Sequence, residues 1–334
     1  MKLVIQIPCY NEERTLPQTV RDLPTAIPGI DEIEILVIDD GSTDRTVAVA
    51  RELGVHHILS FGRRCGLASA FTNGLETALS LGADIIVNTD GDNQYCGADV
   101  AKLVQPVLLQ NADMVVGCRP IESHHEFSPL KKLLQRLGSA VLRHLSETSV
   151  PDAASGFRAF SRSSAQRLFL HSRFSHCIET LIQAGNLRLR IASVDIRVNP
   201  ATRESRLYRS LPEYIWKSGM TMVAMVMHYR PSRVFGTLAA FCYLGILYLG
   251  LRFIFLVYLF PETEAHRTYI PSLILVATLA AFAAGLTLLA VVAEMIRSQT
   301  RLTEEVLFQL RRQSDDKEQR SNHQFESSRK RFAP

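Results

Sequence analysis

Short apolar runs alternate with longer amphipathic stretches over the first half of the chain. The runs are rich in β-branched residues, which is typical of buried parallel strands. They predict strands over residues 3–7, 33–38, 56–60, 84–89 and 113–117. Helical patterns between them predict helices over about 13–24, 44–53, 67–81 and 98–110. Strands that alternate with helices predict an α/β fold with a doubly wound, mostly parallel sheet.

The pattern is less regular after this region. Residues 130–146 have the spacing of an amphipathic helix, and residues near 188–198 predict a further pair of strands. The strand-and-helix pattern therefore predicts one α/β domain over residues 1–210.

Two long apolar stretches follow, from Val234 to Phe260 and from Ile270 to Ile296. Each exceeds the roughly 20 residues that a helix needs to cross a bilayer. A buried core helix is rarely apolar on all faces for so long. The two stretches therefore predict a transmembrane helical hairpin over residues 233–297. Arg252 lies within the first stretch, where it either reaches towards the headgroups or contacts a lipid phosphate or another subunit.

The flanks of the hairpin set its predicted orientation. Arg230 and Arg233 precede it and Arg297 and Arg301 follow it, whereas the connector has a single arginine. The positive-inside rule places both flanks in the cytosol. Residues 211–232 predict an amphipathic helix on the membrane surface, and residues 298–334 a cytosolic, partly disordered tail. The prediction is an integral protein of the inner or plasma membrane with a cytosolic α/β domain.

Composition narrows the class of partner. The 37 basic and 33 acidic residues give a net charge of only +4, too weak a balance to indicate nucleic acid. Six cysteines are scattered without metal-ligand spacing, which predicts free thiols. The start of the chain lacks the apolar region of a signal peptide, so we expect the first domain to remain in the cytosol.

Two acidic clusters follow predicted strands and indicate the chemistry. Asp39-Asp40-Gly41-Ser42-Thr43-Asp44 follows the second strand and Asp90-Gly91-Asp92-Asn93-Gln94 follows the fourth. Open α/β sheets bind ligands at the carboxyl ends of their strands. The spacing of Asp90 and Asp92 suits a divalent cation, which in turn can hold a diphosphate. The clusters predict a metal-dependent enzyme for a nucleotide diphosphate; ordinary turn residues are the competing interpretation.

Four segments in this order resemble the family 2 glycosyltransferases, which have a GT-A fold. The first three are Pro8-x-Tyr10-Asn11-Glu12 and the two acidic clusters. The fourth, Ser155-Gly156-Phe157-Arg158, is similar to a segment of the dolichol-phosphate mannose synthase branch. The two apolar C-terminal stretches resemble those of bacterial polyprenyl-phosphate glycosyltransferases. The absence of GxGxxG after the first strand agrees with this and argues against a dinucleotide-binding fold.

The resemblance implies a role for each matching position. It implies a site for the sugar nucleotide formed by Pro8, Tyr10, Glu12, Asp39, Asp40, Asp90 and Gly91, closed by a loop with Arg203 and Arg206. It implies Mg²⁺ or Mn²⁺ held by Asp90, Asp92 and Gln94, with Asp152, Asp92 and Arg119 as catalytic residues. Arg119, Lys131 and Lys132 would contact the acceptor phosphate, although a solvated basic face is an equal interpretation of these three.

The sequence also departs from the family pattern. Gly91 stands where alanine is common, a change that we expect to matter little. Tyr95-Cys96-Gly97 replaces a more usual acidic or prolyl stretch, which leaves the contacts of those positions open. His124, His125 and His176 are interpreted as solvent-exposed residues rather than metal ligands.

The resemblance implies a membrane-anchored inverting transferase. It would move a sugar from a UDP- or GDP-sugar to a polyprenyl phosphate, of the undecaprenyl or dolichyl type, on the cytosolic leaflet. A lipid phosphate is already ionised near neutral pH, so Asp152 would position groups or balance charge rather than remove a proton. Two alternatives stay open: another membrane lipid as acceptor, or a non-catalytic membrane scaffold. A homo-oligomer is compatible with two membrane helices in each chain.

Overall fold

The structure is a computed structural model that describes residues 1–120, 150–170, 176–200, most of 216–256 and 270–331, with side chains as far as residue 313. Residues Met1–Trp216 and Val306–Pro334 form one compact unit, and Lys217–Glu305 form a second. The first unit contains a mixed sheet between helices, and the second contains two long apolar helices.

Seven strands form the sheet in the order β3-β2-β1-β4-β6-β5-β7. The strands are β1 Lys2–Cys9, β2 Glu32–Asp39, β3 His57–Ser60, β4 Ile85–Asn88, β5 Met114–Cys118, β6 Arg158–Ser161 and β7 Ile191–Asp195. Only β6 runs antiparallel to its neighbours among the described strands. The prediction of an α/β fold with a mostly parallel sheet is confirmed.

The helices of this unit connect the parallel strands. They are α1 Leu16–Asp22, α2 Thr46–Glu52, α3 Leu67–Ser80, α4 Val100–Leu108, α5 Arg162–Arg167 and α6 His176–Asn186. The apolar runs form strands because both faces of the central strands are covered, as in β4, which is buried throughout. The parallel pairing of β1 and β2 places their carboxyl ends at the same edge of the sheet, since Cys9 lies opposite Asp39 in register.

The sequence predicted five of these strands and missed β6. That strand has only four residues and begins with Arg158, so it lacks the apolar run on which the prediction depends. The predicted pair of strands near 188–198 is wrong as stated. One strand, β7, pairs parallel with β5, and Val198 beyond it forms an isolated bridge with Tyr95.

The second unit contains two candidate membrane-spanning helices, α7 Pro231–Ile254 and the first part of α8 Ile270–Arg331. Their most apolar windows are only 6% and 11% buried, so they are not core helices of a soluble domain. The two helices are antiparallel neighbours: Ser232 Oγ donates to Glu294 Oε2 at 2.7 Å, and the Tyr243 and Thr287 hydroxyls lie 3.3 Å apart.

The helix α8 continues past Ile296, where the predicted apolar span ends. Its later part belongs to the first unit and packs on the α/β domain. Phe308 is 7% exposed, and the Arg311 guanidinium lies 4.2 Å from the centre of the Phe169 ring. Arg311 also pairs with Glu76 at 2.6 Å.

Candidate active site at the carboxyl edge of the sheet

The two acidic clusters lie at the same edge of the sheet. The strands β2, β1 and β4 are neighbours, and their carboxyl ends lead into Asp40, Tyr10 and Asp90 respectively. Pro8 is paired with Ile38 within the β1–β2 ladder, just before this edge. The structure therefore brings together the three motifs that the sequence places far apart.

The first two carboxylates of the first cluster are buried and organise two loops. Asp39 is 2% exposed and accepts hydrogen bonds from the Ser42 N–H at 3.0 Å and the Ser60 hydroxyl at 2.7 Å. Asp40 is 4% exposed and accepts from the Cys65 N–H at 2.6 Å and the Gly66 N–H at 2.9 Å. Both carboxylates thus hold neighbouring loops at this edge of the sheet through hydrogen bonds within the protein.

The loop that Asp40 holds lies against Tyr10. The Arg64 guanidinium is 4.2 Å from the centre of the Tyr10 ring, a cation–π contact. Gly41 permits the close approach: its φ is +72°, and an added Cβ would lie 2.6 Å from the Arg63 carbonyl carbon. The sequence identified Tyr10 but gave no signal for its contact with Arg64.

Glu12 is also buried and tied to the first cluster's loop. It is 6% exposed, and its carboxylate accepts from the Thr15 hydroxyl at 2.7 Å. The Glu12 N–H donates to the Thr46 hydroxyl at 2.8 Å. The neighbouring Asn11 has φ +56° and accepts from the Thr43 N–H at 2.8 Å. The segment predicted to bind the sugar nucleotide is therefore held in one conformation.

The second cluster forms a turn of residues 90–95, which we call the cation loop. Asp92 accepts from the Gln94 N–H at 3.2 Å, and Asn93 adopts φ +56°. Burial, together with the nearby Asp92 carboxylate, raises the pKa of Asp90 to about 7. A desolvated carboxylate beside a second carboxylate favours a bound proton or cation.

The donor set of the cation loop suits a hard divalent cation. It offers two carboxylates and the Gln94 amide, all oxygen donors of the kind that Mg²⁺ and Mn²⁺ prefer. The buried Asn93 Oδ1 accepts no hydrogen bond from the described residues. No group of three or more His, Cys, Asp or Glu side chains with metal-binding geometry occurs in the described part of the chain.

Gly91 of the cation loop packs tightly against the end of β1. An added Cβ would lie 2.9 Å from Cys9 Sγ and 3.4 Å from Glu12 Cγ. The expectation that glycine in place of alanine matters little stays a prediction; in this chain the Cys9 thiol lies where the methyl group of an alanine would be.

Tyr95 joins the cation loop to the loop before β6. Its ring stacks on Phe157 with the centroids 5.0 Å apart, and its hydroxyl accepts the Gly156 N–H at 3.1 Å. Burial and the nearby Asp90 carboxylate raise the pKa of Tyr95. An added Cβ at Gly156 would lie 3.3 Å from Asp90 Oδ1. The residue that the sequence left without a role is a structural part of the site.

Arg119 and Asp152 form an ion pair at the ends of two neighbouring segments. The Arg119 Nε and Nη2 groups donate to the two Asp152 oxygens at 2.7 and 3.0 Å. Burial lowers the pKa of Arg119, but its hydrogen bonds to Asp152 raise it above its ordinary value overall. Asp152 is 1% exposed, whereas the Arg119 side chain is 26% exposed. The sequence predicted a role for each residue but not their pairing.

Arg158, the first residue of β6, is fully buried. Its guanidinium donates to the Ser155, Ala153 and Cys177 carbonyls at 2.7–2.8 Å and to the Thr180 hydroxyl. These partners are neutral oxygens, and burial lowers the pKa of Arg158. Arg158 thereby holds the Asp152–Ser155 loop against α6.

His176 is buried too, which corrects the expectation that it is exposed. It is 3% exposed, and its ring stacks on Phe71 with the centroids 4.5 Å apart. Burial lowers the pKa of His176 to about 4, against the opposing effect of Asp90. His176 therefore remains neutral near physiological pH.

Four predicted basic residues lie outside the described part of the chain. They are Lys131, Lys132, Arg203 and Arg206. Their roles at the acceptor phosphate and the donor diphosphate stay predictions.

Comparisons with known proteins agree with this geometry. Residues 4–169 match the family described as Glycosyl transferase family 2. The UDP-N-acetylglucosamine–dolichyl-phosphate N-acetylglucosaminyltransferase of Methanococcus voltae is 32% identical over 213 residues, 57% of this chain and 83% of the relative. The polyprenol monophosphomannose synthase of Mycolicibacterium smegmatis is 28% identical, over 51% of this chain and 65% of the relative.

A solved structure gives the same fold. It is the glucosyl-3-phosphoglycerate synthase of Mycobacterium tuberculosis, in complex with Mn²⁺, uridine diphosphate and glucosyl-3-phosphoglycerate. The two chains are 23% identical with a TM-score of 0.52, covering 67% of this chain and 78% of the synthase. The same synthase has also been crystallised with Mg²⁺ and uridine diphosphate.

Proposed function

This chain belongs to glycosyl transferase family 2 and is a glycosyltransferase, and from that premise we propose that it transfers a sugar from a UDP- or GDP-sugar to a polyprenyl phosphate. Its GT-A fold class and its relation to the polyprenyl-phosphate sugar transferases are confirmed. The proposal adds the donor, the acceptor and the metal for this particular chain.

One observation carries the proposal most directly: the cation loop and the Arg119–Asp152 pair lie on adjoining loops. Gly156 contacts Tyr95 of the cation loop, and it follows Asp152 closely in sequence. Two negative groups that suit a cation therefore lie near an arginine that suits a phosphate. A phosphate acceptor and a diphosphate donor need that combination of charges.

On the donor side, the hydrogen-bonded loops that carry Glu12 and Asp40 support the proposal of an ordered pocket. Tyr10 and Glu12 would hold the base and ribose, with Pro8 at the end of β1 beneath them. Asp39 and Asp40 would act through the loops that they hold, and Arg203 and Arg206 would meet the diphosphate. A pocket that is already ordered binds its ligand without a large entropic cost, because few side chains must be immobilised.

Asp90, Asp92 and Gln94 would hold Mg²⁺ or Mn²⁺ in the cation loop. A divalent cation there supplies charge stabilisation for the nucleoside diphosphate leaving group. Gly91 keeps the loop close to β1, and Tyr95 keeps it against Gly156. The protein's own contribution is therefore to keep two mutually repelling carboxylates at a fixed separation.

On the acceptor side, Arg119 would contact the lipid phosphate, with Lys131 and Lys132 adding positive charge. Asp152 would orient the Arg119 guanidinium, since both of its oxygens accept from that group. An ionised phosphate oxygen needs no base, so direct displacement with inversion requires only that Arg119 hold it in line with the sugar. Asp152 is accordingly a positioning residue in this proposal.

The two candidate membrane helices support the proposal that this transfer takes place at a membrane. We propose that the α/β domain lies on the cytosolic side, as the flanking arginines indicate. The described residues between 216 and 229 are helical, and the exposed Trp216, Met220, Val223 and Met227 recur at helical spacing. An apolar stripe of this kind suits a helix that lies in the membrane interface.

The test is a transfer assay with purified full-length chain in detergent micelles and Mn²⁺. UDP- and GDP-sugars with a radiolabelled sugar are supplied with undecaprenyl phosphate, dolichyl phosphate or diacylglycerol in separate reactions. The proposal predicts label in a polyprenyl phosphate sugar. Label found only in a glycerolipid would show that the acceptor is a glycerolipid and not a polyprenyl phosphate. No transfer from any donor would favour a non-catalytic scaffold.

A further inference from the structure

We propose that Asn199 is a positioning residue that holds the cation loop in its cation-binding geometry. The inference rests on the proposed function, because it takes Asp90, Asp92 and Gln94 as the cation ligands. Asn199 lies beyond the end of β7, more than a hundred residues from the loop in sequence, and none of the motifs includes it.

Asn199 bonds to three consecutive carbonyls of the cation loop. Its Nδ2 group donates to the Asn93 carbonyl at 3.0 Å and to the Tyr95 carbonyl at 3.4 Å. Its backbone N–H donates to the Gln94 carbonyl at 2.9 Å. One residue therefore satisfies three backbone carbonyls of the loop.

The residues before Asn199 anchor it to the same region. Val198 forms an isolated antiparallel bridge with Tyr95, and the Cys96 N–H donates to the Arg197 carbonyl at 3.3 Å. Arg197 donates from its backbone N–H and its guanidinium to Asp99, which is fully buried, at 2.7–3.3 Å. The segment that carries Asn199 is thus fixed to the region just after the cation loop.

The cation loop needs such support because its geometry is not favourable by itself. Asn93 has φ +56°, a left-handed conformation that is less favourable than the extended or right-handed ones, although asparagine adopts it more readily than most residues. The Asp90 and Asp92 carboxylates also repel one another. Bonds to the Asn93 and Tyr95 carbonyls oppose any relaxation of the loop, and they bracket Gln94 between them.

The side chain of Asn199 is specific for this task. Alanine would remove the Nδ2 donor and leave the Asn93 and Tyr95 carbonyls without this hydrogen bond. Aspartate has nearly the same shape, but it would place a carboxylate oxygen against two carbonyl oxygens. Groups that orient metal ligands from outside the coordination sphere typically change metal affinity about 10–100-fold when they are removed.

The first experiment measures Mn²⁺ binding to the full-length chain in detergent, without nucleotide, from the electron paramagnetic resonance signal of free Mn²⁺. We expect Asn199→Ala and Asn199→Asp to weaken Mn²⁺ binding about tenfold. The matched control is Asn73→Ala, since the exposed Asn73 amide donates to the Ser69 carbonyl within its own helix. Thermal unfolding in EDTA reports the folding of each variant separately.

The second experiment needs no variant. Hydrogen exchange of the wild-type chain is compared with and without MnCl₂, and we expect slower exchange at residues 197–199 as well as in the cation loop. Protection confined to the cation loop would overturn the inference. Wild-type Mn²⁺ affinity in the two Asn199 variants would also overturn the inference, but it would leave the proposed function intact. A wild-type chain that binds no Mn²⁺ would instead overturn the proposed metal, and this inference with it.

Discussion

At the scale of single residues, the aspartates at the sheet edge differ in their partners. Asp39 and Asp40 accept from neighbouring loops, Asp90 lies near Asp92, and Asp152 pairs with an arginine. The sequence predicts where the carboxylates at the ends of β2 and β4 lie, because both strands are recognisable as apolar runs and the aspartates come at their ends. It does not predict the partners, because the chain brings them together from distant positions.

The Arg119–Asp152 pair gives a first prediction. Asp152→Asn leaves the partly exposed Arg119 guanidinium without its opposite charge, so we expect the free energy of unfolding to fall by about 2 kcal/mol. Turnover should fall roughly 100-fold, because the Asp152 carboxylate no longer orients the Arg119 guanidinium. The measurements are denaturant unfolding and transfer to polyprenyl phosphate.

The chain offers a matched control for this variant. Asp113 accepts from the backbone N–H, Nε and Nη2 of Arg190 in the same pattern, but the Arg190 side chain is 58% exposed. Asp113→Asn should change turnover little. Wild-type turnover in Asp152→Asn would contradict the positioning role of Asp152.

His176 gives a prediction for pH dependence. Burial lowers its pKa to about 4, so between pH 6.5 and 4 the unfolded chain binds a proton that the folded chain does not. The contribution of His176 to stability is therefore fully present above pH 6.5 and is lost as pH falls towards 4, by roughly 3 kcal/mol.

The measurement is the free energy of unfolding against pH in EDTA, for the wild type and His176→Phe. Phenylalanine keeps an aromatic ring on Phe71 but has no proton to bind. We expect the wild type to lose more stability than the variant between pH 6.5 and 4. Parallel curves would show that His176 does not titrate as stated.

At the scale of elements, five of the parallel strands were predictable, whereas the parallel strand β7 was predicted wrongly as a pair and the antiparallel strand β6 was missed. The strands β1, β2 and β4 contain apolar runs because they are buried within the sheet, over most of β1, the second half of β2 and all of β4. The strand β6 is short, begins with a buried arginine and lies between β4 and β5, which precede it in sequence. Its position depends on pairing between distant segments, which local periodicity does not report.

The contact between the cation loop and β1 gives a prediction at this scale. Gly91→Ala forces a methyl group against Cys9 Sγ, so we expect a loss of about 1–3 kcal/mol in the free energy of unfolding. Cys9→Ala should relieve part of that loss, which a double-mutant cycle of unfolding free energies measures. Gly62→Ala is the control, since nothing lies within 4 Å of its added Cβ. Additive losses would contradict the proposed clash.

At the scale of the whole molecule, the chain combines an α/β transferase unit with two apolar helices. The sequence predicted both parts, because long apolar stretches and strand–helix alternation are strong patterns. It did not predict that the later part of α8 returns to the α/β unit through Phe308 and Arg311. That contact joins residues far apart in the sequence, so no local pattern indicates it.

The central claim is metal-dependent transfer of a sugar to a polyprenyl phosphate. The most direct measurement is the radiolabel recovered in undecaprenyl phosphate sugar from wild-type chain and from Asp92→Ala, each with Mn²⁺ or with EDTA. We predict label with wild type and Mn²⁺, and a loss of at least about 100-fold after EDTA or Asp92→Ala. Undiminished label in EDTA and in Asp92→Ala would contradict the account.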